Sequence, residues 1–385
     1  MNLLMVSGDR QVTIGEKGPF HSMQREFSRH FGRVDVICPR PEAAPRLFRI
    51  HDNVHFHPAA CGRAGMVRYI RAKGGELVAR HGHALIVSHD YGWFYNGIGS
   101  ARLSRASGVP YVSELHHVPG HPVPSGPRER FDKLVARAYV RWALERAAAF
   151  RVVNATEMPA LLESWGVPRA RILVLPSLYV DLDVFRPDPG AEGASEQDVV
   201  YVGRMVANKG LARIVDALAL LKARGAPARA LFVGKGPLAA RVRELCARRG
   251  IADLARFVEW VETPDDLAAI YRKSRVAVCA STCEGGPRVT VEAMACGTPV
   301  VSTPVGVMGE LLADGAAGRL CGFDAESLAD ALGAVLSDEP RRRELGARAA
   351  AAVQRFEYAR SIRAYAEGLK ALAGARGEAA CGSCS

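Results

Sequence analysis

The chain has 385 residues, 49% apolar and 24% charged, an ordinary globular composition with more material than one hydrophobic core usually organises. Two domains are therefore expected, with disorder confined to a linker and a tail. The formal charge of +11 suits an anionic partner, but composition does not separate a small anionic ligand from lipid or nucleic acid.

Met1 to Ser7 is a short apolar run without a basic flank or a small-residue cleavage site, so it reads as a first strand and secretion is not expected. No stretch approaches the roughly eighteen consecutive apolar residues that span a bilayer. Short β-branched runs then alternate with helical-period segments: Leu3 to Val6, Val34 to Cys38, Ala84 to Ser88, Tyr111 to Ser113, Arg151 to Val153 and Ile172 to Leu175. That rhythm predicts parallel strands with crossover helices, an α/β fold. Arg130 to Arg146 reads as a helix with Arg130, Lys133, Arg137 and Arg141 on one stripe and Val135, Tyr139 and Trp142 on another. A solvated face packed by the apolar stripe is one reading, and a basic face for an anionic membrane is the other.

Polar, Pro- and Gly-containing residues from Arg186 to Gln197 interrupt the rhythm, which restarts at Val199 to Val202. The expected domains are 1–185 and 198–373, joined by a linker at 186–197, with the last helix of the second a candidate to pack back on the first, followed by a flexible tail at 374–385. In the second half Leu231 to Val233, Arg256 to Val258, Val276 to Cys279 and Pro299 to Ser302 read as strands. A helix with Leu211, Ile214, Val215, Leu218 and Leu221 on one face is expected to start at an Asn208 cap and stop at Gly225. Two doubly wound units place a ligand crevice at the strand carboxyl ends, facing the gap between them.

Charge and cysteine usage sharpen this. Up to Phe185 there are 24 Lys and Arg against 16 Asp and Glu, so the first half carries most of the basic excess. All eleven histidines lie at or before His121, so histidine chemistry must come from the first domain. Nine scattered cysteines argue for reduced thiols and a cytoplasmic setting. Cys381 and Cys384 form a C-x-x-C, but no two further zinc ligands lie nearby, so a frayed terminus is the simpler reading and no metal site is assigned.

Chemistry concentrates in three motifs. The stretch STCEGGPRVTVEAMACGTP follows the strand ending at Cys279. Gly285 and Gly286 permit close backbone approach, and Pro287 is placed near the first helical position, so a helix opens onto the crevice with free amides and a positive dipole end. Glu284 in the loop and Glu292 a turn into the helix can accept hydrogen bonds from vicinal hydroxyls. Two solvated glutamates, or an acid and nucleophile flanking a glycosidic bond, are the alternatives. In GRMVANKG, Gly203 ends a strand, and Arg204 and Lys209 flank the turn into the next helix as a diphosphate grip. Gly234 and Gly236 in GKGP allow a tight turn at the same crevice.

Taken together, GR then KG, GxGP after a strand, Ser-x-x-Glu, the two glutamates, EAMACGTPVV and Val305-Gly306 with Glu310 beyond resemble family 4 of the retaining glycosyltransferases. The resemblance implies a B-type glycosyltransferase fold, two facing Rossmann-like domains with an interdomain cleft. It further implies that Arg204 and Lys209 bind the donor diphosphate and Glu292 the nucleotide ribose, with Gly203 and Gly234 in the donor loops. Glu284 and the backbone at Gly285, Gly286, Pro287, Arg288 and Val289 would hold the donor sugar. In the first domain it selects His116, in PYVSELH, as the histidine near the sugar, with His117 as alternative, and Gly15 and Gly18 in TIGEKGPF as the loop facing the phosphates or acceptor. Gly286 and Pro287 stand where the family has an aromatic and a glycine, Leu178 and Tyr179 where it has Asn-Gly, and Trp260 where a glycine is common near the base.

The implied reaction moves a sugar from a UDP- or GDP-linked donor to a glycan, lipid-linked or small-molecule acceptor with retention. Arg204, Lys209 and helix amides stabilise the leaving diphosphate, without a metal or cofactor. Nucleic acid is not an expected partner; peripheral contact with an anionic membrane is the reading set against a solvated face for Arg130 to Arg146. An isomerase or phosphorylase on the same fold, and a binding subunit without activity, are the rival readings.

Overall fold

The computed structural model describes residues 1–176, 178–188 and 195–382, with only the backbone for 375–382. Residues 189–194 of the expected linker, Cys384 and the Cys381 side chain lie outside that description. Two sheets carry the chain. The first holds β1 (Asn2–Val6), β2 (Arg33–Cys38), β3 (Arg49–Ile50), β4 (Val54–Pro58), β5 (His83–His89), β6 (Tyr111–Leu115), β7 (Ala149–Val152) and β8 (Ile172–Val174), in the order β3-β4-β2-β1-β5-β6-β7-β8. All neighbours are parallel except β3 with β4. The second holds β9 (Gln197–Val202), β10 (Ala230–Val233), β11 (Ala255–Val258), β12 (Ser274–Cys279), β13 (Val300–Ser302) and β14 (Gly318–Leu320), all parallel, in the order β11-β10-β9-β12-β13-β14.

Helices cover both faces of each sheet, so the central strands read as continuous apolar runs without alternation. Leu3, Leu4, Met5 and Val6 of β1 are all fully buried, Leu4 and Val6 into one apolar cluster and Leu3 and Met5 into another. The strand order reverses between β1 and β5 in one sheet and between β9 and β12 in the other. Loops leaving those strands diverge to opposite faces and open a crevice there.

Details depart from the sequence reading. β3, β4 and β14 were not expected. β4 buries Val54 and Phe56 and turns His55, His57 and Pro58 partly outward, so its pattern lacks a β-branched run; β14 spans three residues. The helix after β9 runs Leu211–Ala223 with the expected face buried, and Gly225 follows it at φ 79°. Its start is not capped by Asn208. Gly210, at φ 65°, occupies that position, while the Asn208 carbonyl accepts from Thr282 N at 2.8 Å and ties this loop to the one after β12. Pro287 is the residue before the helix Arg288–Ala295, not within it.

The final helix, Tyr358–Gly382, returns to the first sheet. Ile362, Tyr365, Ala366 and Leu369 are buried in the cluster that contains Leu3 and Met5, and Tyr365 lies 5.0 Å from the Phe27 ring. The helix runs on to Gly382, through most of the stretch expected as a flexible tail.

Candidate active site

Loops from the reversal points of both sheets meet across a cleft. It holds a cavity of about 350 Å³ lined by His89, His116, Arg151, Glu284, Gly286 and Tyr365 among others. A second, of about 390 Å³, is lined by Gly18, Phe185, Trp260, Glu292 and Tyr358. Pro19, Tyr179 and Arg288 line both, so the two adjoin, and the Arg288 guanidinium sits 4.1 Å over the Tyr179 ring at their junction.

Glu284 is the centre of the first cavity's polar wall. It accepts from Ser281 Oγ at 3.0 Å and forms an ion pair with Lys209, both side chains being largely buried. Arg204 is exposed, and together with Lys209 it adds to burial in lowering the His117 pKa, against Glu284. Arg204, Lys209 and Glu284 of the second domain thus all act electrostatically on one histidine of the first. The neighbouring His116 is pulled down to about 3 by desolvation and then by Arg151, so its imidazole is neutral.

The loop carrying Glu284 is glycine for steric reasons. A Cβ on Gly285 would stand 2.2 Å from the His116 carbonyl oxygen, and a Cβ on Gly306 would stand 2.3 Å from the Gly285 oxygen. Gly306 also has φ 54°. Gly285 is therefore pressed between the two domains, where no side chain fits. Gly203 and Gly234 have a different reason: at φ 150° and 131°, they pack on each other, with a Gly234 Cβ only 2.1 Å from the Gly203 oxygen. Gly15, at φ 92°, closes the turn Val12–Ile14 and lines neither of the two adjoining cavities, whereas Gly18 lines the second.

Glu292 projects into the second cavity from the first turns of Arg288–Ala295, and burial pushes its carboxyl up to about 7 against the pull of Arg288. Val289, on the first turn, is half-buried. Trp260 is 69% exposed with Lys235 Nζ 5.4 Å over its ring, a flat apolar face at the cavity edge.

Sequence reasoning missed the polar floor beneath His116. Glu114 and Arg151 are fully buried, with Arg151 Nη1 3.3 Å from Glu114 Oε1 and 3.0 Å from His116 Nε2. Arg151 Nε donates to the Leu175 carbonyl at 2.7 Å, and its guanidinium covers the Tyr365 ring at 4.0 Å. The Tyr365 phenol donates to Glu114. A charged residue inside each of two buried strands was the available signal; nothing local marked Tyr365.

Two more carboxylates bridge the domains in opposite senses. Glu310 Oε1 accepts from Ala155 N at 2.6 Å, Thr156 N at 2.9 Å and Thr156 Oγ1 at 3.1 Å, capping the helix Glu157–Ser164 of the first domain. Glu157 in turn accepts from Gly306 N of the second. Burial, Glu310 and Glu284 push Glu157 up to about 7.

Known proteins share this fold. Residues 187–352 match the model for "Glycosyl transferases group 1" and residues 20–177 that for "Glycosyl transferase 4-like domain". The D-inositol 3-phosphate glycosyltransferase of Nocardia farcinica is 35% identical over 241 residues, 58% of this chain and 52% of that protein. D-inositol 3-phosphate glycosyltransferase 2 of Catenulispora acidiphila is 31% identical over 302 residues, 72% of this chain and 69% of that protein. Among solved structures, sucrose-phosphate synthase from Thermosynechococcus elongatus superposes with a TM-score of 0.76 at 22% identity, over 98% of this chain and 97% of that one. Anabaena HepE, solved with UDP and glucose, does so with a TM-score of 0.72 at 20% identity, over 97% and 100%. The chain belongs to the family 4 glycosyltransferases, the glycosyl transferases group 1, built on the B-type glycosyltransferase fold.

Proposed function

We propose that this chain transfers a sugar, with retention, from a nucleoside diphosphate sugar in the second domain to a hydroxyl of an acceptor held by the first. The observation that carries the reading is the Lys209–Glu284 pair at the wall of a cavity that adjoins the Glu292 cavity. The pair supplies a cation for the diphosphate and a carboxylate for the sugar hydroxyls, and the adjoining cavity supplies a carboxylate for the ribose. Trp260 offers its face to the base, and a UDP-linked donor is the first choice because HepE was solved with UDP-glucose; GDP is the alternative.

As the anomeric bond breaks, negative charge grows on the leaving diphosphate. Arg204 and Lys209, with the amides opening Arg288–Ala295, meet that charge where it develops, so the departure calls for no metal ion. Glu284 and neutral His116 orient the sugar, and a phosphate oxygen takes the acceptor proton on the face the diphosphate leaves. Gly18 keeps the first-domain loop close to the phosphates, and Gly15 closes the turn that precedes it.

D-inositol 3-phosphate, the acceptor named for the relatives, is the first to test, beside glycans and lipid-linked saccharides. A cytoplasmic site with peripheral contact to an anionic membrane belongs to the same reading. The helix Pro127–Ala143 buries Ala136, Tyr139, Val140 and Ala143, and its exposed face places Phe131 and Leu134 among Arg130, Arg137 and Arg141. Trp93, 66% exposed, meets Phe131 with ring centroids 6.2 Å apart. Aromatic and basic residues together suit an anionic interface; sedimentation with neutral and anionic vesicles showing no difference would end the membrane part.

The decisive experiment is thermal stabilisation by UDP, GDP, ADP and TDP, followed by turnover of the matching sugar with D-inositol 3-phosphate. A new glycosidic bond with retained configuration is expected. Epimerised sugar would point to an isomerase, and nucleotide binding without product to a binding subunit.

A further inference from the structure

Arg288 brings to the cleft a side chain to which the transfer reading gives no task, since that reading uses only the amides of its helix. It is the first residue of Arg288–Ala295 and is half-buried. Pro19, Tyr179 and Arg288 line both cavities, and of the three only Arg288 carries a charge. Among the described residues no hydrogen bond or ion pair holds its guanidinium; what it meets is the Tyr179 ring, 4.1 Å away. Glu292, one turn further along the helix, feels the charge without pairing with it: burial raises that carboxyl and Arg288 opposes the rise. The N–H donors of this arginine are therefore free to meet a ligand.

Tyr179 fixes where the guanidinium stands. Its side chain is buried with Leu3 and Met5 in the first domain, its hydroxyl donates to the Pro19 carbonyl at 2.9 Å, and the Tyr358 ring meets it edge-on at 5.0 Å. A ring held at its hydroxyl and its edge offers a fixed face to a cation. The contact runs from a helix of the second domain to the core of the first, so it exists only while the two face each other. The other arginines lining the cavities are placed differently. Arg151 is paired with Glu114 and the Leu175 carbonyl, while Arg25 is exposed, lies over the Tyr358 ring and lines the second cavity alone.

With the sugar at Glu284 in the first cavity and the ribose at Glu292 in the second, the diphosphate that links them has to pass where the cavities adjoin. We propose that the Arg288 side chain, held on the Tyr179 ring, grips the donor diphosphate at that junction, an assignment that rests on the transfer reading. It adds a cation to Arg204 and Lys209, which line neither cavity. A guanidinium suits the task because its forked donors match two phosphate oxygens at once. Tyr179 is a positioning residue here, acting on the diphosphate through Arg288.

The test titrates the full chain by calorimetry with UDP and with uridine, or with GDP and guanosine if GDP is the nucleotide that stabilises the wild type. Arg288→Met keeps an unbranched side chain without the charge. It should lower the ratio of diphosphate to nucleoside affinity about tenfold or more, the scale of one hydrogen bond to a charged group. An effect passing through Glu292 falls on the ribose, which both ligands share, and cancels in that ratio. Arg288→Lys keeps the charge without the fork and should lose less. Tyr179→Leu should follow Arg288→Met, whereas Tyr179→Phe, which keeps the ring and gives up the bond to Pro19, should stay within about twofold of the wild type. An unchanged ratio in Arg288→Met would overturn the assignment while leaving the transfer reading intact. A raised KM for D-inositol 3-phosphate with that ratio unchanged would overturn it too, by placing the guanidinium on the acceptor's phosphate. A wild-type chain that binds neither UDP nor GDP would remove the transfer reading and this grip with it.

Discussion

Replacing Gly285 by alanine probes how closely the domains must meet over the sugar cavity. The new Cβ would stand 2.2 Å from the His116 carbonyl oxygen and 3.0 Å from both the carbonyl carbon and Val153 Cγ2. In a close-packed contact the loop must retreat by roughly 1 Å. It cannot retreat freely, because the Gly285 carbonyl is backed by Gly306, whose own Cβ would fall 2.3 Å from that oxygen. Relief comes from opening the cleft, and overpacking of this kind costs about 1–3 kcal/mol. At 1.36 kcal/mol per tenfold, that is a fall of about 5- to 150-fold in kcat/KM with UDP-glucose. The clash crosses between domains and not through either core, so the melting temperature should change little. Gly75→Ala, where an added carbon meets nothing within 4 Å, is the matched control. Wild-type kcat/KM in Gly285→Ala would refute the claim that the donor loop works pressed against His116.

Lys209→Ala should lower kcat by roughly a hundredfold, as loss of one preorganised charge-stabilising donor does, and Arg204→Ala likewise, with nucleotide affinity falling less; a change confined to donor KM would remove the leaving-group role. Glu284→Gln should weaken binding of the nucleotide sugar more than that of the free nucleotide, measured by calorimetry, and equal losses would refute its assignment to the sugar. Glu292 should be about tenfold more ionised at pH 8 than at pH 6, given a carboxyl pushed up to about 7 by burial. Uridine affinity should therefore rise across that range in the wild type and stay flat in Glu292→Gln; parallel profiles would exclude the ribose role. Burial likewise raises Asp90 from 3.8 to about 7. The folded state then holds a proton the unfolded state has lost, so this stability is complete below pH 3.8 and disappears as pH rises through 7. Thermal melts should show a decline through neutrality that Asp90→Asn flattens, and an unchanged slope would mean that Asp90 does not titrate there.

The alternation of apolar runs with helical periods marked β1, β2, β5, β6 and most of the second sheet, because strands buried on both faces must be apolar throughout. The motifs of the second domain were equally plain: Glu284, Gly285 and Glu292 lie within one strand-to-helix turn, where spacing alone sets their relation. β4 escaped because histidine occupies its partly exposed positions. What the sequence did not carry is who meets whom across the cleft. Tyr365 and Glu114 are 251 positions apart, Glu157 and Gly306 149, and Lys209 and Glu284 75. Propensity, capping and periodicity act within a strand or a few turns. The partners of a buried charge are chosen by the strand order, which brings the loops after β1, β5, β9 and β12 to one place, and by a last helix that returns to the first sheet. Only that assembly decides that Asn208 ties two loops instead of capping a helix, and that Gly285 has no room for a side chain.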